Sequence, residues 1–207
     1  MTAAVGSGAP PLVEWGAAAA ALDGAPHSGD LHVVAPYPGG VLVAAIDGLG
    51  HGPEAALAAR AAADVLEASA GAPLERLFDQ CHDALRKTRG AVMSLAAFDA
   101  RSSTVSWGGV GNVEGILLRA SGARRESISL RGGIVGYQLP PLRVTSVPVA
   151  PGDTLVLATD GIRSAFVAGL PGLRGGVQGL ADAIFAEFSR GSDDALVVVA
   201  RWLGTVA

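Results

Sequence analysis

The chain has 207 residues, with 15 Lys and Arg against 19 Asp and Glu, a single cysteine, 50% hydrophobic side chains and 16% charged side chains. This length suits one globular domain with a sizeable core, and the net charge of -4 excludes the basic surface of a nucleic-acid-binding protein. A membrane span is also excluded, because the longest stretch without a charged side chain, residues 31–46, is interrupted by prolines and glycines. The lone cysteine fits a reducing cytoplasm, where we expect the protein to act.

The predicted elements begin after residues 1–10, a segment punctuated by glycine and proline that we expect to be flexible. Residues 11–207 are predicted to form a single domain. An apolar run over residues 12–21 predicts a strand, with a short helix as the alternative. Two Val-rich runs at 31–35 and 41–46, separated by a Pro- and Gly-rich turn, predict a β-hairpin of buried strands.

Helical periodicity follows the hairpin. The Ala- and Leu-rich segment from Pro53 predicts a helix that ends before Gly71. A second helix is predicted from Leu74 to about Thr88, with Cys81 on its apolar face, and a third over residues 177–189. The predicted buried face of the first helix comprises Leu57, Ala61, Val65 and Leu66.

Strand-like runs occupy most of the remaining sequence, with Gly and Pro turns between them. They lie at residues 92–98, 104–107, 113–119, 127–130, 142–149, 154–158 and 195–203. Strands in two groups, with a helix pair after the hairpin and another helix before the last strand, predict an α+β fold of two packed antiparallel sheets with helices outside.

Aspartates flank several of these strands. Asp47 and Asp160 each follow an apolar run and precede a glycine, whereas Asp30 and the pair Asp193 and Asp194 precede apolar runs. In antiparallel sheets the end of one strand lies beside the start of its neighbour, so we expect these carboxylates to converge on one rim. Clustered carboxylates repel one another and favour protonation or a bound cation, and hard divalent ions take such oxygen ligands. One Asp-Gly pair alone indicates a turn, but the whole set predicts a metal site.

The ordered motifs resemble the metal-dependent serine/threonine phosphatases of the protein phosphatase 2C superfamily, in particular the bacterial SpoIIE/RsbU/RsbX branch and its compact RsbX type. The motifs that carry this resemblance are Ser28-Gly29-Asp30, Asp47-Gly48-Leu49-Gly50-His51-Gly52, Gly111-Asn112, Gly132-Gly133-Ile134-Val135-Gly136, Thr159-Asp160-Gly161 and Asp193-Asp194-Ala195.

The resemblance implies a four-layer αββα sandwich of two antiparallel sheets flanked by helices, with two Mn²⁺ or Mg²⁺ ions. By the resemblance, Asp47 would bridge both ions, while the carbonyl of Gly48 and, mainly through water, Asp30 would bind one of them. Asp160 and Asp193 would complete the other ion's ligands, and Asp194 is the less favoured member of its pair. The implied reaction is in-line attack of a metal-bridging water on phosphoserine or phosphothreonine. The implied substrates are phosphorylated regulatory or scaffold proteins of a stressosome or partner-switching system.

Two positions depart from the animal members of the superfamily. Those proteins clamp phosphate with an Arg before the first acidic ligand, whereas the first Arg of this chain is Arg60. Phosphate would therefore be held by metal, water, backbone N–H groups or a distant arginine, for which Arg163 is a candidate alongside a surface role. Those proteins also have a His where this chain has Leu49. His51 is the candidate general acid, although a structural role in the turn is favoured for it.

Two other functions remain open from the sequence. The first is a catalytically silent phosphatase-like module that binds a regulatory partner and uses the acidic rim only structurally. The second is a metal-dependent hydrolase of a small phosphoester.

Overall fold

The computed structural model of this protein describes residues 11–122, 125–170 and 175–204. Residues 1–10, where we predict a flexible segment, lie outside the described residues, and the single-domain organisation stays a prediction. The strands are β1 (Val13–Ala20), β2 (Asp30–Tyr37), β3 (Gly40–Gly48), β4 (Ala91–Asp99), β5 (Thr104–Val110), β6 (Glu114–Leu118), β7 (Arg125–Ser127), β8 (Leu130–Arg131), β9 (Thr145–Pro148), β10 (Thr154–Ala158) and β11 (Ala195–Trp202). The helices are α1 (Pro53–Ala68), α2 (Leu74–Leu85), α3 (Phe166–Gly169) and α4 (Val177–Phe188).

The strands form two sheets. The first sheet has the order β1-β11-β10-β6-β7, and the second has the order β2-β3-β4-β5-β8 with β9 also paired to β5. The strand pairs are antiparallel, except for the short parallel pair of β5 and β8. The predicted α+β fold of two antiparallel sheets is therefore confirmed, with that one pair as the exception.

Three apolar layers hold the sheets and helices together as a four-layer αββα sandwich. One layer lies between α1, α2 and the second sheet, one between the two sheets, and one between the first sheet and α3 and α4. In β3, Ala44 and Ile46 face the helices whereas Val43 and Ala45 face the other sheet. Successive side chains of a strand point to opposite faces, so a strand with both faces covered needs an uninterrupted apolar sequence.

Helix α1 packs through alanines rather than through the face predicted for it. Leu57 is 63% exposed, and Ala61 and Val65 are only partly buried. The buried residues of α1 are Ala55, Ala58, Ala59, Ala62, Ala63 and Leu66. The prediction for Leu57 is wrong because small side chains let the helix approach the sheet: a Cβ on Gly48 of β3 would overlap with the backbone carbonyl of Ala55.

Other differences from the prediction lie in short or exposed elements. Helix α2 ends at Leu85, three residues before the predicted end. The run predicted as one strand at 127–130 is divided between β7 and β8, and only Thr145–Pro148 of the run at 142–149 is a strand. A 3-10 turn at Leu22–Gly24 and the short α3 had no periodic signal. Among the described helices, none is both long enough and apolar enough to cross a bilayer.

Candidate active site

Two of the candidate aspartates lie side by side in the second sheet. Asp30 begins β2 and Asp47 is the penultimate residue of β3, and the two are directly opposite each other in the antiparallel register. Directly opposite residues on one face of a sheet have Cβ atoms about 4.5–5.5 Å apart. The two carboxylates are thus neighbours at the end of the sheet, as the strand arrangement predicts.

A threonine from the first sheet contacts Asp30. The Thr159 hydroxyl donates a hydrogen bond of 2.6 Å to Oδ2 of Asp30. The hydroxyl oxygen of Thr159 in turn accepts a hydrogen bond from the backbone N–H of Leu196. Thr159 follows β10, so this side chain joins the two sheets at the rim where the aspartates lie. Both Asp30 and Thr159 are buried.

The adjacent residues Asp193 and Asp194 have different environments. Asp194 is buried, and its two carboxylate oxygens accept hydrogen bonds from the backbone N–H groups of Leu22, at 2.7 Å, and Gly29, at 2.6 Å. Asp193 is exposed and lines the cavity described next. Asp194 therefore holds the loop before Asp30 in place, and Asp193 is the member of the pair that faces the open site.

An open cavity of about 360 Å³ lies at this rim, between the ends of the two sheets. Its acidic lining residues are Asp47, Asp160 and Asp193. The remaining lining residues are Leu49, Gly50, Val92, Gly111, Asn112, Gly132 and Ile134. Predicted motifs from five separate parts of the sequence are thus brought together around one cavity.

Asn112 orients one of these carboxylates. Its side-chain Nδ2 donates a hydrogen bond of 2.9 Å to Oδ2 of Asp160. This contact leaves the other carboxylate oxygen of Asp160 available to a ligand. Hydrogen bonds of this kind fix the orientation of groups that bind metals.

The electrostatics of the site favour neutralisation of its buried carboxylates. Burial, followed by repulsion from Asp194, Asp160 and Asp193, raises the pKa of Asp30 to about 7, even though the Thr159 hydrogen bond opposes the rise. Burial and the same neighbours, together with Asp30, raise the pKa of Asp47 to about 8. These carboxylates therefore take up a proton, or a cation, more readily than ordinary aspartates.

Asp153 shows what a buried aspartate does when it has donors nearby. It lies directly before β10, outside the cavity, and accepts hydrogen bonds from the backbone N–H groups of Ala120 and Ala150 and from the guanidinium of Arg119. Burial raises its pKa, but these hydrogen bonds and the Arg119 charge outweigh burial, so the pKa lies below the usual value. Within residues 11–122, 125–170 and 175–204, no arginine plays this role for Asp30 or Asp47.

The donor set fits hard divalent ions that retain water. Within the residues that the structure describes, no group of three or more His, Cys, Asp or Glu side chains is close enough to enclose an ion by itself. The carboxylates instead surround an open cavity. Mg²⁺ characteristically keeps several waters and binds through one or two carboxylates, whereas structural zinc sites are closed by four protein ligands. The arrangement therefore suits Mg²⁺ or Mn²⁺ better than Zn²⁺.

The glycines after Asp47 and Asp160 are packed against the backbone of other segments. A Cβ on Gly48 would overlap with the carbonyl of Ala55, and a Cβ on Gly161 would overlap with the carbonyl of Asp194. These contacts explain why a residue without a Cβ is needed at both positions. The Gly48 carbonyl as a ligand stays a prediction.

The remaining candidates lie outside the cavity lining. His51 is exposed just before α1, whereas Leu49 lines the cavity. This placement agrees with a turn role for His51. The Arg163 side chain donates through Nη2 to the backbone carbonyl of Glu187, and the Arg163 backbone N–H donates to the carbonyl of Phe188. The Arg163 side chain is therefore engaged at the end of α4.

Sequence reasoning left the roles of three residues unassigned. Thr159 and Asn112 belong to recognised motifs, but the sequence does not show that they contact Asp30 and Asp160. Arg89, which lies beside Gly50 at the rim of the cavity, belongs to none of the motifs. Its position depends on how the end of α2 meets the loop after β3, for which no local pattern exists.

Comparison with known proteins identifies the family. The model of the family described as Stage II sporulation protein E (SpoIIE) matches residues 37–203. Phosphoserine phosphatase RsbX of Bacillus subtilis (strain 168) is 26% identical over 122 residues, which are 59% of this chain and 61% of that protein, so the match spans less than two thirds of this relative.

Solved structures share the fold over nearly the whole chain. A structure of the bacterial stressosome, described as a modular system that has been adapted to control secondary messenger signaling, contains a chain with 34% identity and a TM-score of 0.84, covering 91% of this chain and 99% of that chain. RsbX in complex with magnesium has 19% identity and a TM-score of 0.83, covering 92% and 95%. The predicted resemblance to the SpoIIE/RsbX branch is confirmed, and the chain belongs to the SpoIIE family.

Proposed function

We propose that this protein is a metal-dependent phosphoprotein phosphatase that hydrolyses phosphoserine or phosphothreonine with two Mn²⁺ or Mg²⁺ ions. The observation that carries the proposal is the convergence of Asp47, Asp160 and Asp193 on one open cavity, with Asp30 directly beside Asp47. Among the residues that the structure describes, no basic side chain lines this cavity. A cation is the simplest counter-charge for such a group.

In this proposal the protein's own residues hold and orient the ions. Asp47 would bind both ions, Asp160 and Asp193 would bind one of them, and Asp30 and the Gly48 carbonyl would serve the other. Thr159 and Asn112 keep the Asp30 and Asp160 carboxylates in place through the hydrogen bonds described above. When bound, the ions would offset charge on the phosphoryl oxygens and make water a stronger nucleophile. None of these side chains needs to become covalently attached to phosphate.

Regulatory phosphoproteins are the proposed substrates. The support comes from two relatives: the Bacillus subtilis protein is named a phosphoserine phosphatase, and the structure with 34% identity comes from the bacterial stressosome. The open form of the cavity agrees with a phosphorylated side chain presented by another protein. The proposal also places the protein in the cytoplasm, which the single buried thiol of Cys81 supports.

The direct test measures phosphate release from a phosphoserine peptide and a phosphorylated regulatory protein in Mn²⁺, in Mg²⁺ and in EDTA. We expect turnover only with metal, and a fall of at least about 100-fold for Asp47→Asn and Asp160→Asn, because charge stabilisation by a metal is worth several kcal/mol. Asp64→Asn is the matched control, because it removes one exposed carboxylate on α1.

Three outcomes separate the candidate functions. Two Mn²⁺ binding events in calorimetry, both weakened by Asp47→Asn and accompanied by turnover, support the phosphatase. Metal binding or partner binding without turnover of any phosphoester would indicate the silent binding module instead. Turnover of free nucleotides but not of phosphopeptides would indicate a hydrolase of small phosphoesters.

A further inference from the structure

Arg89 lies at the rim of the acidic cavity. It follows α2 and stands directly before Gly90, whose carbonyl accepts a 3.0 Å hydrogen bond from the backbone N–H of Leu49. This bond joins the Arg89 segment to the loop after β3. The Arg89 guanidinium reaches Gly50 of that loop: a Cβ on Gly50 would lie 2.9 Å from Nη1. Gly50 and Leu49 both line the cavity, so the positive charge of Arg89 lies next to residues of the cavity wall.

The other end of the guanidinium forms an exposed ion pair that costs little to break. Nη2 of Arg89 forms an ion pair with Oε2 of Glu54, in the first turn of α1, and the two side chains are 51% and 66% exposed. Exposed ion pairs contribute little stability. A guanidinium has five N–H donors, and the pair with Glu54 involves only one of its nitrogens. The remaining donors are available to an anion that approaches from the cavity.

A positive charge at this place would assist the ions in attracting a phosphorylated substrate. Asp160 and Asp193 are exposed in the cavity, and they would repel an approaching phosphate dianion unless a cation stood nearby. The planar fork of arginine matches phosphate oxygens in a bidentate manner. Arg163, the candidate from the sequence, is bound to the Glu187 carbonyl instead.

We propose that Arg89 binds the phosphate group of the substrate at the mouth of the cavity, exchanging Glu54 for phosphoryl oxygens. This inference rests on the proposed phosphatase function, and it supplies the phosphate-binding arginine that is missing before residue 60. Glu54 then acts as a placeholder that keeps the guanidinium at the rim when no substrate is bound.

The test titrates inorganic phosphate into the Mg²⁺-loaded protein by calorimetry, which requires no turnover. Arg89→Ala should weaken phosphate binding about tenfold, since a hydrogen bond to a charged group is worth that much or more. Glu54→Gln breaks the same ion pair but keeps the guanidinium, so phosphate should bind as tightly as before, or more tightly. Arg86→Ala is the charge-matched control: Arg86 is exposed and paired with Asp83, and its loss should change the affinity less than twofold.

Kinetics with a phosphopeptide provide the second measurement. Arg89→Ala should lower kcat/KM about tenfold, mainly through KM, because the lost contact is made already in the bound ground state. Arg89→Lys should recover part of this loss, because lysine restores the charge but not the fork. A thermal melt of each variant shows whether it is folded, and Glu54→Gln controls for any effect of the broken ion pair on stability.

An unchanged phosphate affinity in Arg89→Ala overturns the inference, because it shows that Arg89 does not contact phosphate. An equal loss of affinity in Arg86→Ala overturns it too, because it shows only a general electrostatic effect of positive charge. The absence of phosphate binding to the unmodified protein overturns it as well. The proposed function is judged separately. If turnover depends on metal but Arg89→Ala has the phosphate affinity of the unmodified protein, the phosphatase function is supported and only the role of Arg89 is rejected. Phosphate binding without phosphopeptide turnover removes the phosphatase and not the anion site.

Discussion

Asp47→Asn should make the metal-free protein more stable while removing its response to metal. Asp47 is partly buried beside Asp30, and burial together with the surrounding carboxylates raises its pKa to about 8. In the unfolded chain the same carboxyl has an ordinary pKa near 3.8. At neutral pH the metal-free folded state must therefore either hold a proton on Asp47 or tolerate an unfavourable charge. Asparagine removes that requirement.

The size of the effect follows from the pKa difference. At about 1.4 kcal/mol per pH unit, the difference between 3.8 and about 8 corresponds to an upper limit of about 6 kcal/mol at pH 8. Asp47 keeps some contact with solvent and shares its repulsion with four other aspartates, so we expect a gain of about 1–3 kcal/mol in the free energy of unfolding. For a protein of this size, that gain raises Tm by about 3–10 °C.

The effect should depend on pH with a defined sign. A carboxyl whose pKa is raised on folding binds more protons in the folded state, so metal-free wild-type protein loses stability as the pH rises from about 4 to about 8. The advantage of Asp47→Asn should therefore be largest near pH 8 and should vanish near pH 4. Urea denaturation in EDTA at several pH values measures this difference, and comparison with wild type cancels the other titrating groups. Added Mn²⁺ should stabilise wild type but not the variant.

Asp193→Asn provides the control, because Asp193 lines the same cavity but is exposed. Its metal-free stability should stay within about 0.5 kcal/mol of wild type, while its stabilisation by Mn²⁺ should fall. The reasoning is refuted if Asp47→Asn destabilises the metal-free protein, or if its stability relative to wild type does not change between pH 4 and pH 8.

Three further substitutions test other contacts. Asn112→Ala should weaken Mn²⁺ binding about tenfold in calorimetry, because Asp160 loses its orienting donor; unchanged affinity would contradict that role. Asp153→Asn should reduce the free energy of unfolding in urea by about 2–4 kcal/mol, and this loss should shrink as the pH falls below 3.8, because the wild-type carboxyl becomes protonated first in the unfolded chain and, at lower pH, in the folded protein. Gly161→Ala should destabilise by about 2–4 kcal/mol, because its Cβ would overlap with the Asp194 carbonyl; wild-type stability in urea would contradict this packing.

The strands of the sandwich were predictable where both of their faces are covered. β3, β10 and β11 are apolar at almost every position, because helices and the opposite sheet bury alternate side chains. The short strands β7 and β9 are largely exposed, and their pairing partners rather than their own residues determine them. Boundaries there could not be read from local pattern.

The packing of α1 and the arrangement of the site were also predictable only in part. The convergence of Asp30 and Asp47 follows from antiparallel register, which hydrophobic runs already indicate. The different roles of Asp193 and Asp194 do not, because the N–H groups that bind Asp194 come from a loop more than 160 residues away in sequence. The exposure of Leu57 could not be predicted from the sequence either, because the periodicity of α1 permits a buried face that contains leucine as well as the alanine face that is buried.

Because the aspartates come from two different sheets, the distances between them depend on how one sheet is positioned against the other. Asp30 and Asp47 belong to the second sheet, whereas Asp160 and Asp193 flank strands of the first. A stacked aromatic pair, Phe98 of β4 and Trp202 of β11, with ring centroids 5.6 Å apart, lies between the sheets. Phe98 and Trp202 do not line the cavity, so we expect the separation of its aspartates to depend on packing between the sheets as well as on the cavity's own residues.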